Sequence, residues 1–134
     1  MNPIVVPART THSATVIMLH GLGDSGAGWE SLARQMDMPW VKFIFPTAPT
    51  RPVTINGGAS MAAWSDIKGL SPDAEEDEAG ILQSLDRVHS LIAAEISGGI
   101  PASRIVVGGF SQGAALVRLP SAQTSRFRVQ AACT

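Results

Sequence analysis

Apolar positions along the chain fall into two rhythms. Residues 14–20, 41–45 and 104–109 are short runs rich in Val, Ile and Phe with few polar interruptions. Strands buried on both faces of a parallel sheet have this pattern. A shorter run, Ile4, Val5 and Val6, lies between Pro3 and Pro7; proline cannot donate to a ladder, which suits an edge strand. The other rhythm is helical. Trp29, Leu32, Ala33 and Met36 recur at helical spacing, and Ile81, Leu85, Val88, Ile92 and Ile96 line one stripe of a longer helix.

Ser71 and Pro72 are read as the start of that longer helix, because Pro is favoured in a first turn. Asp73, Glu75, Glu76, Asp77 and Glu78 then fall where the helix dipole favours negative charge. Residues 46–70 form a long connection rich in Pro, Gly, Ser and Thr, a kind of loop that is uncommon unless it carries function. Strands alternating with helices predict an α/β fold with right-handed crossovers and a mostly parallel sheet flanked by helices.

Composition narrows the class. The 134 residues are 45% hydrophobic and 16% charged, with a net charge of -1. That is a globular composition, and it offers no basic surface for nucleic acid or anionic lipid. Cys133 has no partner for an intramolecular disulfide, and no Cys/His cluster suggests a metal. No apolar stretch approaches the ~20 residues of a membrane-spanning helix, and the first residues lack the pattern of a secretory signal. The expectation is a soluble, cytoplasmic protein without metal or cofactor.

Two glycine motifs carry the chemistry. Gly21-Leu22-Gly23-Asp24-Ser25-Gly26 is a literal G-x-G-x-x-G after a strand. A dinucleotide site needs an acidic residue about twenty positions further on, to hold the ribose. Here the next strand runs into Pro46-Thr47, and Asp24 would set a carboxylate beside the pyrophosphate. A P-loop is excluded because no Gly-Lys-Ser/Thr follows. The second motif, Gly109-Phe110-Ser111-Gln112-Gly113, follows the strand at 104–109. A G-x-S-x-G there turns sharply into a helix and exposes the serine hydroxyl. Backbone N–H groups at the helix start then face a developing oxyanion. On this reading Ser111 is the nucleophile, Gln112 supplies one oxyanion N–H and Leu22, in the glycine loop, supplies the second.

Further segments extend the pattern: Leu19 to Asp24, Pro46-Thr47-Ala48-Pro49, Trp64-Ser65-Asp66, Gly69 to Asp73, Glu76 to Ile81 and Arg104 to Gly113. In this order the chain resembles the acyl-protein thioesterases, in the carboxylesterase/lysophospholipase-like branch of the α/β-hydrolases, over residues 4–116. The resemblance implies hydrolysis of acyl thioesters on proteins, or of related esters. Its substrates would be an acylated protein, a lysophospholipid or a small ester. It also implies that residues 55–70, with Met61 and Trp64, border an acyl-binding channel.

A serine nucleophile needs a general base, usually a histidine oriented by a carboxylate, and in this fold both follow the serine in chain order. Residues 112–134 contain no His, Asp or Glu. His20 is expected to shape the oxyanion turn, His89 to pack along its helix, and His12 to belong to a turn. Residues 1–116 therefore read as the N-terminal part of an α/β-hydrolase domain, with 117–134 a divergent tail in which Pro120 ends the elbow helix early. A sheet ending at the elbow strand is expected to leave an open edge and to favour self-association. The readings are a serine hydrolase of ester or thioester bonds, or a non-catalytic truncated form that binds acyl groups or a full-length partner. A nucleotide-binding module rests on the glycine loop alone.

Overall fold

A computed structural model describes residues 2–119 and the backbone of 130–133. The five-stranded sheet is built from β1 (Ile4–Val6), β2 (Ala14–Leu19), β3 (Val41–Phe45), β6 (Ile105–Gly109) and β7 (Gln130–Cys133), in the order β1-β3-β2-β6-β7. Only β1 runs antiparallel, along β3 with Ile4 opposite Phe45. The apolar runs became strands within a residue of their expected bounds. The short run between prolines became the edge strand.

Helices α2 (Glu78–Ser97) and α3 (Gln112–Arg118) cover one face of the sheet. There Ile17, Leu19, Ile44, Ile105 and Val107 pack against Leu85, Val88, Ile92, Leu116 and Val117. Burying a side chain of this size is worth about 1.5–3 kcal/mol, so the stripe on α2 is enough to seat it. Among the described residues the opposite face receives one helix, α1 (Glu30–Gln35), which follows a 3-10 turn at Gly26–Trp29 and sets Ala33 against Val41, Phe43 and Phe45. A six-residue helix covers little area. Val16 and Met18 of β2 consequently alternate with buried Ile17 and Leu19 as half-buried positions, where burial on both faces was expected.

The longer helix starts later than Ser71-Pro72 predicted. Asp77 is its N-cap, accepting from the Gly80 N–H at 3.1 Å, and only Glu78 lies in the first turn. Ahead of the cap, Ile67 bridges to Glu76. A side-chain cap satisfies an orphan helix donor, and Asp77 does so one turn before the first apolar residue of the stripe. The connection at 46–70 is also more ordered than a plain loop. It folds into a hairpin of β4 (Thr50–Val53) and β5 (Ala59–Ala62) around a short 3-10 turn. Pro52 is tolerated because this two-stranded ribbon has free edges.

Helix α3 ends at Arg118, and Leu119 is extended at ψ 136°, the conformation that a following proline imposes. Pro120 itself and residues 121–129 and 134 of the expected tail lie outside the described residues. The open edge expected beside β6 is occupied: β7 pairs with it in parallel, Val106 opposite Gln130. No described helix is long and apolar enough to cross a membrane.

At the opposite end of the strands from Ser111, a polar cluster ties α2 to the sheet. Glu95 accepts from Thr15 Oγ1 at 2.6 Å and from Lys42 Nζ at 2.8 Å, and His12 Nε2 lies 3.7 Å from its carboxylate. Burial alone raises the Glu95 carboxyl, but hydrogen bonds from Lys42 and Thr15 and the Lys42 and His12 charges outweigh it and hold the group below its ordinary 4.5. A lowered carboxylate contributes stability that is present above its unfolded value and disappears as pH falls through the folded one. Glu95→Gln is therefore expected to lower the thermal midpoint at pH 7. It should also flatten the loss of stability that the native chain shows on acidification below about 4.5. A pH series of thermal melts on both proteins checks this.

Candidate active site

The two glycine motifs meet at the carboxyl ends of β2 and β6, the crevice where open α/β sheets place ligands. Chain reversal from β6 into α3 is so tight that side chains are excluded. A Cβ on Gly109 would stand 2.3 Å from the Gly113 carbonyl carbon, and one on Gly113 would stand 2.3 Å from the Leu19 oxygen. Between these glycines Ser111 adopts φ 53° and ψ -115°. It is the only non-glycine residue with positive φ among the described residues. Such a conformation costs about 1–3 kcal/mol and marks functional positions. The Ser111 side chain is exposed and caps no backbone N–H of α3.

The first glycine loop runs past this elbow. A Cβ on Gly21 would lie 3.2 Å from the Phe110 ring and 3.3 Å from the Ser111 Cβ. Gly23 sits at φ 78°, and a Cβ on Gly26 would strike the Phe45 oxygen at 2.2 Å. Each glycine thus has a structural reason. Asp24 serves the loop itself, accepting from Ser25 N–H at 2.8 Å and from the Trp29 indole at 3.2 Å. A carboxylate so engaged agrees with discounting a nucleotide site.

Gln112 directly follows Ser111 in the chain, and Leu22 directly follows Gly21, whose Cβ position lies 3.3 Å from the Ser111 Cβ. The Gln112 N–H opens α3, where the first N–H groups of a helix have no internal acceptor. The Gln112 side chain has a separate task that the motif did not reveal. Its Oε1 accepts from the Trp64 N–H at 3.0 Å and its Nε2 donates to the Ser65 carbonyl at 2.9 Å. This pins the segment after β5 to the elbow helix. Met61 is half-exposed, with its sulfur 3.8 Å from the Cβ position of Gly23, close to the glycine loop. Trp64 differs: it is 1% exposed and donates its indole N–H to the His20 carbonyl at 2.8 Å. Its ring packs against His20 in a tilted arrangement, with centroids 5.0 Å apart. The structure places it as a prop behind the loop. A cavity of about 310 Å3 opens beside Gln112, between Trp64 with the segment that follows it to Asp77 and the Leu116 and Leu119 face. Ser111 is outside it.

None of the three histidines is positioned as a base for Ser111. His20 is fully buried with both nitrogens engaged, Nδ1 on the Gly21 oxygen and Nε2 on the Ala48 N–H. His12 bonds Thr15 at the far end of β2. His89 lies on α2 with its Nε2 buried and unpartnered. Among the described residues no group of three or more His, Cys, Asp or Glu is placed to hold a metal.

A mostly parallel sheet with a strained serine between strand and helix is the arrangement of an α/β-hydrolase. The chain belongs to the phospholipase/carboxylesterase family, whose model matches residues 1–133. It is 53% identical over 116 residues to acyl-protein thioesterase 1 of Yarrowia lipolytica, covering 83% of this chain and 51% of that protein. It is 49% identical over 114 residues to acyl-protein thioesterase 1 of Schizosaccharomyces pombe, covering 84% and 51%. Among solved structures, acyl-protein thioesterase 2 of Zea mays superposes with a TM-score of 0.77 at 43% identity, covering 86% of this chain and 48% of that one. The Arabidopsis thaliana protein SOBER1 follows with a TM-score of 0.73 at 34% identity, covering 78% and 52%. The chain spans about half the length of the curated relatives it matches.

Backbone strain at the elbow has a measurable consequence. Ser111→Gly removes the side chain that disfavours positive φ and is expected to raise stability by about 1 kcal/mol. Ser111→Ala keeps a Cβ and should not. Urea titrations of the two variants distinguish them.

Proposed function

We propose that this chain carries the nucleophile and oxyanion donors of a serine hydrolase for carboxylic ester or thioester bonds, acting on acylated protein, a lysophospholipid or a small ester. The observation that carries the reading is exposed Ser111, held at φ 53° on the first turn of α3 beside the glycine loop. Attack of its Oγ on an acyl carbonyl puts negative charge on the carbonyl oxygen. The Leu22 and Gln112 N–H groups are the donors assigned to that charge, an effect worth about 2.7–4 kcal/mol per donor in measured cases. Expulsion of the thiol or alcohol leaves an acyl-serine, which water then cleaves. Met61 is assigned to the acyl contact, and Trp64 to the same channel from behind the loop. Residues 1–116 are the hydrolase part in this reading and 117–134 a divergent tail. It works in the cytoplasm without cofactor, and a second copy is a candidate partner at the outer edge of β7.

The proton from Ser111 has no acceptor among residues 112–134, which contain no His, Asp or Glu, and His20 is fully engaged. His12 bonds Thr15 at the far end of β2 and His89 lies on α2, so no described histidine is placed to take that proton. The same observation favours a second reading, a non-catalytic form that binds acyl groups or a full-length partner. Labelling with a fluorophosphonate probe separates them. Modification confined to native protein, and lost in Ser111→Ala and after heating, is the outcome expected of an activated serine. A folded chain that resists the probe yet binds lysophospholipid without turnover would favour the second reading.

A further inference from the structure

His20 belongs to no step of that mechanism, yet it is among the most completely buried polar side chains described. Its ring spans two loops. Nε2 faces the Ala48 N–H at 2.9 Å; an amide N–H only donates, so Nε2 is the acceptor and carries no proton. The imidazole proton therefore resides on Nδ1, which donates to the Gly21 carbonyl at 2.6 Å. The Asp24 N–H adds a second, longer bond to the same oxygen at 3.2 Å.

The Gly21 carbonyl and the Leu22 N–H belong to one peptide unit. In a trans peptide, which this is, the two bonds point in opposite directions across a rigid plane. Clamping the oxygen on one side fixes the aim of the N–H on the other. The chain of bonds runs from Ala48 N–H through the imidazole to Gly21 and ends at Leu22. Each link polarises the next in a buried site. The Trp64 indole bond holds the His20 carbonyl, and the tilted ring contact at 5.0 Å packs the imidazole on one side.

We propose that His20 is a positioning residue for the oxyanion hole, setting the direction and polarity of the Leu22 N–H through a proton held on Nδ1. This rests on the hydrolase reading above. It assigns the buried histidine a role in transition-state binding distinct from that of a base.

Two measurements on the full chain test it. Nitrogen NMR of the imidazole reports the tautomer directly. A proton on Nδ1 supports the proposal, and a proton on Nε2 overturns it, whether or not the serine reacts. Fluorophosphonate labelling of Ser111 then tests the consequence. His20→Ala is expected to lower kinact by about 10²-fold, the scale of a misaimed donor, with KI unchanged. His20→Asn sets an amide N–H near the Nδ1 position and is expected to restore most of the rate. Equal loss in both variants, or an effect confined to KI, would overturn the role. Should His20→Ala fail to fold, the His20→Asn rate and the tautomer decide. A native wild type that resists the probe entirely counts against the hydrolase reading instead, and the tautomer alone then judges this inference.

Discussion

The site depends on one close contact between backbones. Gly113 at the start of α3 lies so near the end of β2 that a Cβ would meet the Leu19 oxygen at 2.3 Å and the His20 oxygen at 2.8 Å. Close-packed interiors transmit such constraints because little can yield. With the elbow helix set against the carbonyl end of β2, the following glycine loop has to pass beside Ser111. The Phe110 N–H bond to the Leu19 carbonyl at 3.0 Å seals the junction. Two segments 90 residues apart in sequence thereby share one crevice.

Around that contact, polar side chains act as ties. Gln112 holds the 64–65 backbone from one side, and Ser84 on α2 donates to the Trp64 carbonyl from the other. Arg51 donates to the Ala63 carbonyl at 2.9 Å and pairs with Asp77 at 3.5 Å. Asp77 accepts from the Asp66 and Gly80 N–H groups and is lowered chiefly by the first of these. Apart from the Arg51–Asp77 ion pair, each bond satisfies a backbone group that would otherwise be left unpaired. The segment behind the nucleophile is thus rigid without being helix or sheet-core strand. That rigidity suits a site whose donors must be aimed in advance.

The expectations that changed share a cause. Ser71-Pro72 carries a good local start signal, but Asp77 wins because its carboxylate caps the helix and serves Asp66 and Arg51 together. Residues 46–70 look loop-like by composition. Cross-strand pairing of Thr50 with Ala62 and Val53 with Ala59 is a tertiary event that propensity does not report. Trp64 is a different case: it lines the cavity beside Gln112 and keeps its proposed place in the acyl channel. Its burial against His20 follows from the path of β5 relative to β2, which no spacing encodes.

By itself the sequence determined the three apolar strands, the buried stripe of α2, the edge position of residues 4–6 and the serine elbow. These rest on local physics: apolar period, proline's missing donor, and glycine where no side chain fits. The weakness of the nucleotide reading was also legible, from a missing acid. Only the tertiary structure decided the rest. It showed that all three loop glycines have packing or turning tasks, that the Gln112 side chain is a brace, and that both His20 nitrogens are engaged. Those facts depend on which backbone groups come within 3 Å across sequence gaps of 28 and 48 residues. The pairing of a donor with its acceptor at such separation is set by the folded path of the chain, not by the order of its residues.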